Sequence, residues 1–295
     1  MFVSVIIPTR NEFLLLSSCV ASVVSHVNNN TVEFVIIDNG SDDLQTLNYL
    51  AELQATGKAR VIRDESPFNF SSLNNKAVAD AKCDMLLFLN NDVEAIHSGW
   101  LDEMLKLASK PDIGAVGAKL LYPDNRVQHA GVVIGMGGVA GHVNRLIGKN
   151  DCGYLDMACK VHEVSAVTGA CLMIKKSMFL QVGGFNEKDL AVAFNDVDLC
   201  LRVRALGYKN MYTPKAVLYH HESVSRGSDL SPQNKLRFYK EQWYMYRHWL
   251  KPILSDPYYG TLGKAWLVHA VFVLKNIVKV GSFVLIQSVV SKFRR

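Results

Sequence analysis

The stretch Met85-Leu86-Leu87-Phe88-Leu89-Asn90-Asn91-Asp92 decides the fold class of this chain of 295 residues. Its apolar run is too short for a typical helix, and the carboxylate of Asp92 follows almost directly. In an open α/β sheet, ligands bind in the crevice at the carboxyl ends of the strands. The stretch therefore predicts a buried strand that delivers an aspartate to a ligand site. A buried strand followed by an Asx-type turn, with no ligand, is the alternative.

The same pattern of an apolar run followed by a polar loop recurs along the first half of the chain. Strands are predicted over 2–8, 33–38, 59–63 and 113–121, and helices over 13–26, 43–55 and 72–81. Strands that alternate with helices imply βαβ units and a mostly parallel sheet. Further along, the pattern predicts a strand over 164–174, helices over 176–182 and 196–206, a last strand over 216–220, and a turn-rich loop in the glycine-rich segment 131–148. We therefore expect one continuous α/β domain that reaches about residue 250.

The bulk composition excludes several classes of protein. A hydrophobic share of 49% and a charged share of 20% are typical of a globular protein, and aromatic stacking motifs for nucleic acid are missing. Neither a CxxC pair nor a zinc-type spacing occurs among the cysteines, which are residues 19, 83, 152, 159, 171 and 200. Since no signal peptide precedes the first predicted strand, we expect reduced, structural thiols and a cytosolic protein.

The C-terminal segment 251–295 has a different character. Residues 265–290 are strongly apolar, but Lys275 and Lys279 interrupt them and lie with Ser282 on one helical stripe. No uninterrupted run reaches the roughly 18 to 20 residues that span a bilayer. After Asp256 the charged residues are all basic. An amphipathic helix lying on the membrane surface fits this pattern, and a helix packed on the domain or in an oligomer is the alternative.

Nine segments, in this order along the chain, carry a family resemblance. They are VSVIIPTRNE, FVIIDNGSDD, FNFSSLNNKAV, LLFLNNDVE, GAVGAKLLYPDNRVQHAGVVIG, VTGACLMIKK, GGFNE, FNDVDLCLR and YHHESVSRG. Their order resembles the inverting family 2 glycosyltransferases, over roughly residues 3–226. The sequences of these segments are most similar to those of bacterial enzymes of surface polysaccharide synthesis, which are often rhamnosyltransferases. The resemblance implies the GT-A fold, a Rossmann-like mixed α/β sheet with a nucleotide-binding half over 1–115 and an acceptor-binding half over 116–250.

The resemblance implies a site for a nucleotide-sugar. Asp38 would accept a hydrogen bond from the imide N–H of uracil or thymine, for which an acceptor-only carboxylate is suited. An Asx turn through Asn39-Gly40 is compatible with this role. The other implied nucleotide contacts are Pro8, Thr9, Arg10, Glu12, Asn75 and Asn91, with Asp92 at the diphosphate.

A metal site is implied at the same place. Asp92 matches the last residue of the family's DxD motif, here Asn90-Asn91-Asp92, and would bind Mn²⁺ or Mg²⁺ at the diphosphate. His220 resembles a further ligand, and an imidazole among oxygen ligands favours Mn²⁺ over Mg²⁺. Since Asn90 replaces the first aspartate, fewer anionic ligands remain. In a strand, His221 would point to the opposite face.

The catalytic base implied by the resemblance is Asp196. Inversion requires the acceptor hydroxyl to attack opposite the leaving diphosphate, and a carboxylate within reach must take its proton. N-capping of the helix by Asn195 or Asp196 is the structural alternative. Asp198 is the second candidate for the base, or instead pairs with Arg202. In the loop after His221, Arg226 is expected to contact the diphosphate, and a plain surface loop is the alternative.

These features predict a cytoplasmic glycosyltransferase that lies peripherally on the inner face of the cell membrane. The expected donor is dTDP-rhamnose, with a UDP-hexose next, and the expected acceptor is a lipid-linked oligosaccharide. Oligomeric state is left open, and no nucleic acid is expected as a partner. A nucleotidyltransferase is one rival, although the first loop lacks the glycine-rich, lysine-containing signature which that reaction needs. A degenerate domain that binds glycan or nucleotide without catalysis is the other.

Overall fold

The protein is described here from a computed structural model that covers residues 3–27, 32–222, 229–258 and 264–293. The first part alternates strands and helices as predicted, and it adds a strand (Val93–Ala95) and a helix (Trp100–Ala108) that were not predicted. Its elements are β1 (Val3–Thr9), α1 (Phe13–His26), β2 (Val32–Asp38), α2 (Leu44–Ala55), β3 (Ala59–Arg63), α3 (Phe70–Asp80), β4 (Met85–Leu89), β5 (Val93–Ala95), α4 (Trp100–Ala108) and β6 (Ile113–Leu121).

The second part begins with short strands and ends with long helices. Its elements are β7 (Val127–His129), β8 (Val132–Ile134), β9 (Ala140–His142), β10 (His162–Val164), β11 (Cys171–Lys175), α5 (Lys176–Gln181), α6 (Asn195–Ala205), β12 (Lys209–His220), α7 (Lys235–Leu254) and α8 (Lys264–Phe293). Short 3₁₀ turns cover Met136–Gly138 and Tyr154–Cys159.

One mixed sheet organises the described residues. Its strand order is β10-β12-β6-β11-β4-β1-β2-β3, with β5 added at β12 and β7 at β6, while β8 and β9 form a separate two-stranded sheet. The strands β3, β2, β1 and β4 are parallel, whereas β11 is antiparallel to both β4 and β6. The carboxyl ends of β1, β2 and β4 therefore meet at one edge, as the sequence predicts.

Two apolar clusters cover the two faces of the sheet because successive strand residues point to opposite sides. Along β1, for example, Val5 and Ile7 face one cluster and Ile6 faces the other. Helices α1, α2 and α4 pack on the first face. Helices α3, α5, α6 and α7 and part of α8 pack on the second.

Two predictions about the middle of the chain are wrong. The strand expected over 164–174 is two strands, β10 and β11, separated by 165–170. That connection includes Gly169, whose backbone faces α6 and is not paired as a strand. The cysteines are not all reduced thiols, since Cys152 and Cys159 form a disulfide across the second 3₁₀ turn. Disulfides are rare in cytosolic proteins, so the expected cytosolic location did not predict this pair.

Helices α7 and α8 lie against each other and against the domain. The predicted boundary at residue 250 falls within α7, and the division into domains stays a prediction. Val273 and Val280 of α8 are fully or almost fully buried, and Gly281 lies against the ring of Trp243. One described helical stretch, His269–Gln287, is long and apolar enough to cross a membrane, with a mean hydropathy of 1.6 in spite of its lysines.

Candidate active site

Asp92 and His220 form a close pair at the end of β4. Strand β5 starts directly after Asp92 and pairs antiparallel with β12, which places His220 opposite Val93. The Oδ1 atom of Asp92 is 3.1 Å from Nε2 of His220, and the two residues are only 4% and 8% exposed. The register of one short strand therefore brings together two side chains that are far apart in the sequence. His221 takes the other side, where its Nε2 atom lies 3.1 Å from Oε1 of Glu94.

The geometry of this pair fits a divalent cation. Two ligands at right angles on an octahedral ion with bonds of about 2.1 Å are about 3.0 Å apart. The 3.1 Å between Asp92 and His220 is compatible with this separation and equally with a direct contact between the two side chains. Among the described residues no group of three or more histidine, cysteine, aspartate or glutamate side chains could hold a metal. A cation here would therefore complete its coordination with substrate oxygens and water, as is usual for Mg²⁺ at phosphate sites.

The loops after β1, β2 and β4 are joined by hydrogen bonds. Asn91 Nδ2 donates to Thr9 Oγ1 (3.1 Å), which links the Asp92 loop to the end of β1. The backbone N–H of Asn11 donates to Ser41 Oγ (2.7 Å), and its side-chain oxygen accepts from the N–H of Asp42 (2.9 Å). Next to it, Glu12 has a φ of 60° and precedes α1. Pro8 is half-buried at the end of β1, and Arg10 is exposed in this loop.

Asp38 is buried at the end of β2 and already has two protein partners. Its Oδ1 atom accepts from the N–H of Ser41 (3.0 Å), and its Oδ2 atom accepts from the Arg63 guanidinium (2.5 Å). We did not single out Arg63 from the sequence. The signal was available, because Asp38 and Arg63 are the last residues of two neighbouring parallel strands and lie in register. The contact of Asp38 with a base stays a prediction, and any such contact would be made beside an ion pair.

A second ion pair lies beside the first. Asp64 follows β3 and pairs with Lys76 of α3, while its other oxygen accepts from the N–H of Ser66 (2.8 Å). Hydrogen bonds from Lys76 and Ser66 lower the pKa of Asp64 to about 2. Asn39 donates from its side chain to the carbonyl oxygens of Asp64 (3.1 Å) and Ser66 (2.8 Å). This edge of the sheet is therefore held by charge pairs that the sequence motifs did not indicate.

Asn75 lies on α3 and holds a turn of the chain. Its amide donates to the carbonyl oxygen of Phe185 (2.9 Å) and accepts from the N–H of Phe185 (2.9 Å). The turn begins at Gly184, where φ is +70° and where an added Cβ would come within 2.7 Å of the Asn75 side-chain oxygen. The structure thus gives Asn75 a packing role, and its predicted contact with nucleotide stays a prediction.

Asp196 lies in the first turn of α6 and is oriented by two backbone N–H groups. Its Oδ2 atom accepts from Gly169 (2.8 Å) and its Oδ1 atom from Val197 (2.8 Å). The residue before α6 is Phe194, in a left-handed conformation and without a side-chain cap. Asn195 is buried and donates instead to the carbonyl oxygen of Val192 (2.9 Å). Neither Asn195 nor Asp196 is therefore the N-cap, and the half-buried Asp196 keeps its carboxylate partly accessible.

One short segment connects Asp196 with the Asp92 loop. Gly169 donates to Asp196, and the carbonyl oxygen of the next residue, Ala170, accepts from the N–H of Asn90 (3.0 Å). The predicted base and the predicted metal ligand thus lie on either side of the same connection between β10 and β11. The interruption of the strand at this segment is what lets its backbone reach α6.

Asp198 has a structural role. It is fully buried, its Oδ2 atom accepts from Nε of Arg202 (2.8 Å), and its Oδ1 atom accepts from the indole N–H of Trp249 (2.8 Å). The predicted pairing of Asp198 with Arg202 is confirmed. Because both oxygens are occupied, Asp198 is not positioned to take a proton from a substrate.

A group of polar residues that we did not single out from the sequence lies near the site. His142 of β9 hydrogen-bonds through Nδ1 to Nδ1 of His129 (2.8 Å), and burial lowers its pKa while the charge of Asp196 raises it. Arg145 donates to the hydroxyl of Tyr122 (2.6 Å) and lies 3.7 Å from Glu222. The glycine-rich stretch that carries His142 and Arg145 gave only a turn signal in the sequence.

Arg226, which the sequence predicts to contact the diphosphate, falls in 223–228, outside the described residues.

Residues 4–183 match Glycosyl transferase family 2, which is well over half of the chain. The chain is 48% identical over 259 residues to the uncharacterized protein y4gI of Sinorhizobium fredii, covering 88% of this chain and 28% of that protein. It is 36% identical over 262 residues to the O-antigen biosynthesis protein RfbC of Myxococcus xanthus, covering 88% of this chain and 20% of RfbC. The chain therefore spans less than a third of the length of these relatives.

A third relative is matched along most of its length. The N-acetylglucosaminyl-diphospho-decaprenol L-rhamnosyltransferase of Mycobacterium tuberculosis is 25% identical over 283 residues, which are 90% of this chain and 86% of that one.

Two solved structures share the fold. They are the mannosyltransferase PcManGT from Pyrobaculum calidifontis in complex with GDP-Man and Mn²⁺ (TM-score 0.59, 17% identity, 83% of this chain and 63% of that one) and GalNAc-T7 with UDP, GalNAc and Mn²⁺ (TM-score 0.65, 16% identity, 83% and 50%). This likeness confirms the predicted fold class.

Proposed function

Because this chain belongs to glycosyltransferase family 2, we propose that it moves a sugar, with inversion, from a nucleotide-diphosphate sugar to a lipid-linked glycan in bacterial surface polysaccharide synthesis. One observation carries the proposal. A carboxylate oriented by backbone N–H groups, Asp196, lies across the segment Gly169–Ala170 from a pair of side chains with metal-ligand spacing, Asp92 and His220.

Asp196 would act as the general base. The acceptor hydroxyl must lose its proton as it attacks the anomeric carbon from the face opposite the diphosphate. Two N–H donors hold the Asp196 carboxylate in one orientation. The ordered carboxylate supports an enzyme over a domain that only binds glycan.

Asp92 and His220 would hold the divalent cation, with Mn²⁺ preferred because one ligand is an imidazole. A bound cation stabilises the charge that builds up on the leaving nucleotide diphosphate. The three loops joined by Thr9, Asn11 and Asn91 would form the floor on which the nucleotide lies. The nucleobase of the nucleotide would then reach Asp38 and Arg63 at the ends of the neighbouring strands.

The names of two relatives support the donor and the acceptor. RfbC is named for O-antigen biosynthesis, and the Mycobacterium tuberculosis relative is named as an L-rhamnosyltransferase acting on N-acetylglucosaminyl-diphospho-decaprenol. We propose dTDP-rhamnose as the donor, with a UDP-hexose as the second choice, and a lipid-linked oligosaccharide as the acceptor.

We further propose that α8 holds the enzyme on the inner face of the cell membrane. An exposed apolar stripe runs along this helix through Val271, Leu274, Val278 and Leu285, and Phe272 and Ile286 are exposed beside it. Lys275 and Lys279 are exposed along the adjoining stripe. The opposite face of α8 packs on the protein, which supports a helix lying in the interface over one that spans the bilayer.

A screen of sugar nucleotides tests the proposed activity. The full chain is incubated with dTDP-rhamnose, UDP-glucose or UDP-galactose, with Mn²⁺, Mg²⁺ or EDTA. Binding of each donor is measured, together with release of the nucleoside diphosphate by hydrolysis, in which water takes the place of the acceptor. We expect the wild type to release nucleoside diphosphate from one donor when a divalent cation is present. We expect the Asp196→Asn variant to release none. Release that EDTA does not affect would contradict the metal site, and binding or release of none of the donors would contradict the transferase.

A further inference from the structure

Three buried side chains form a line that ends at the proposed metal site. The side-chain oxygen of Gln128 contacts Nδ1 of His220, and Nε2 of the same imidazole lies 3.1 Å from Oδ1 of Asp92. Gln128 is 5% exposed, so water has little access to this contact. The line therefore runs from β7, through the end of β12, to the loop after β4.

The sheet holds Gln128 and His220 in place. Strand β6 pairs with β12 through Leu121 and Tyr219, and with β7 through Leu121 and Val127. His220 directly follows Tyr219, and Gln128 lies at an irregularity between Val127 and His129, which pair with the consecutive residues Leu121 and Leu120. Their contact is thus set by two strands on a shared neighbour and by the irregularity in β7.

This contact determines which nitrogen of His220 carries the proton. A glutamine side-chain oxygen only accepts hydrogen bonds, so the Nδ1 atom facing it must carry the N–H. In the neutral imidazole the Nε2 atom then carries no proton, and it lies 3.4 Å from Nδ2 of Asn90 and 3.1 Å from Oδ1 of Asp92. Histidines that bind metals commonly donate their other N–H to an oxygen in this way, which fixes both tautomer and ring orientation.

The burial of Gln128 is a second observation that favours a specific role. Its side-chain NH₂ group is buried and has no hydrogen-bond partner among the described residues. Burying an amide with part of its hydrogen-bonding capacity unused costs free energy that an apolar side chain of similar size would not. The position therefore carries a stability cost, and the contact with His220 is the interaction gained in return.

We propose that Gln128 is a positioning residue that holds His220 in the tautomer and ring orientation needed to bind a divalent cation together with Asp92. The inference rests on the metal site of the proposed function and adds a residue to it. Gln128 itself touches neither the cation nor the substrate.

The test is a titration of the full chain with Mn²⁺ in the presence of dTDP or UDP, in which free Mn²⁺ is measured by electron paramagnetic resonance. Gln128→Leu removes the acceptor, Gln128→Glu keeps an acceptor oxygen at the same place, and Gln54→Leu is the control at an exposed glutamine of α2. We expect the leucine variant to weaken Mn²⁺ binding about 10- to 100-fold, and the other two to remain within about threefold of the wild type.

Thermal unfolding without Mn²⁺ separates this role from a purely structural one. Leucine removes a buried, partly unpaired amide but also leaves the Nδ1–H of His220 without its acceptor, so we expect the leucine variant to unfold cooperatively and close to the wild-type temperature. If it does not fold, Gln128→Met takes its place in the same titration.

Three results would overturn the inference, and they are distinguishable. If the wild type binds Mn²⁺ and the leucine variant binds it equally well, or if leucine and glutamate weaken binding equally, only the role of Gln128 fails. If the wild type binds no Mn²⁺ with either nucleotide, the metal site of the proposed function fails and the inference fails with it.

Discussion

Asp196 and Asp198 lie close together on α6, yet their carboxylates have different surroundings. Asp198 is enclosed by Arg202 and Trp249, whereas Asp196 is half-buried and receives only backbone donors. The side chain of a helical residue two positions away points to a different face. From the sequence both were candidates for the base. Their contacts show that Asp198 has a structural role, which leaves Asp196 as the candidate.

The first prediction compares these two residues by the same substitution. Asp196→Asn is expected to lower the transferase rate about 10²- to 10⁴-fold, because an amide cannot take the proton of the acceptor hydroxyl. Asp198→Asn is expected to lower the free energy of unfolding by about 1.5–3 kcal/mol, because a charged partner of Arg202 is lost. Turnover of the nucleotide-sugar and urea unfolding of both variants check this. Equal rates for Asp196→Asn and the wild type would exclude Asp196 as the base.

The second prediction concerns pH and the ion pair between Asp64 and Lys76. The pKa of Asp64 is lowered to about 2 in the folded protein, from an ordinary value of 3.8. A lowered pKa stabilises the fold above pH 4, and this contribution is lost as the pH falls towards 2. Lys76→Met should therefore lower the free energy of unfolding at pH 5 to 7, with about half of the difference gone at pH 3. Urea unfolding of both proteins across this range is the measurement. A difference that does not change with pH would show that the lysine acts through packing.

At the scale of elements, the sequence predicted those whose signal is local. The helix over 13–26 and the strands over 59–63 and 113–121 have the predicted bounds, since their apolar periodicity and turn residues lie within the segments themselves. Strand β5, in contrast, has three residues and exists through its pairing with β12. That pairing brings His220 to Asp92. The resemblance indicated these two residues as predicted metal ligands, but the sequence could not give the register that brings them together.

The third prediction concerns the close approach of β6 and α6. A Cβ added at Gly114 would lie 2.1 Å from Cγ1 of Val203, a contact that no packing tolerates. Gly114→Ala is therefore expected to lower the free energy of unfolding by about 1–3 kcal/mol. Val203→Ala removes the clashing methyl group, so the double variant should be more stable than the sum of the single effects predicts, by about 0.5–3 kcal/mol. Urea unfolding of the four proteins gives this difference, and simple additivity would contradict the contact.

At the scale of the molecule, the C-terminal helices are attached to the part of the domain that holds the site. Trp249 of α7 donates to Asp198, and Asp256 accepts from the N–H of Ile134 in β8 (2.7 Å). His269 of α8 contacts the carbonyl oxygen of Ile253 (3.0 Å). A surface that binds α8 would therefore also fix the distance of Asp196 from it. This is what an enzyme with a lipid-linked acceptor needs.

The last prediction tests whether that surface is a membrane. Replacing Leu274, Val278 and Leu285 by glutamate puts charges on the exposed apolar stripe of α8, and we expect binding to vesicles to fall about tenfold or more. The matched control places three glutamates at Leu44, Leu180 and Leu206, which are exposed on the catalytic domain. Lys275→Gln with Lys279→Gln should weaken binding to anionic vesicles only, by about 1 kcal/mol per lysine. Flotation of the full chain with neutral and anionic vesicles measures all three. If the stripe variant floats as well as the wild type, the exposed stripe of α8 does not bind membrane, and the proposed lipid-linked acceptor must be reached by another surface.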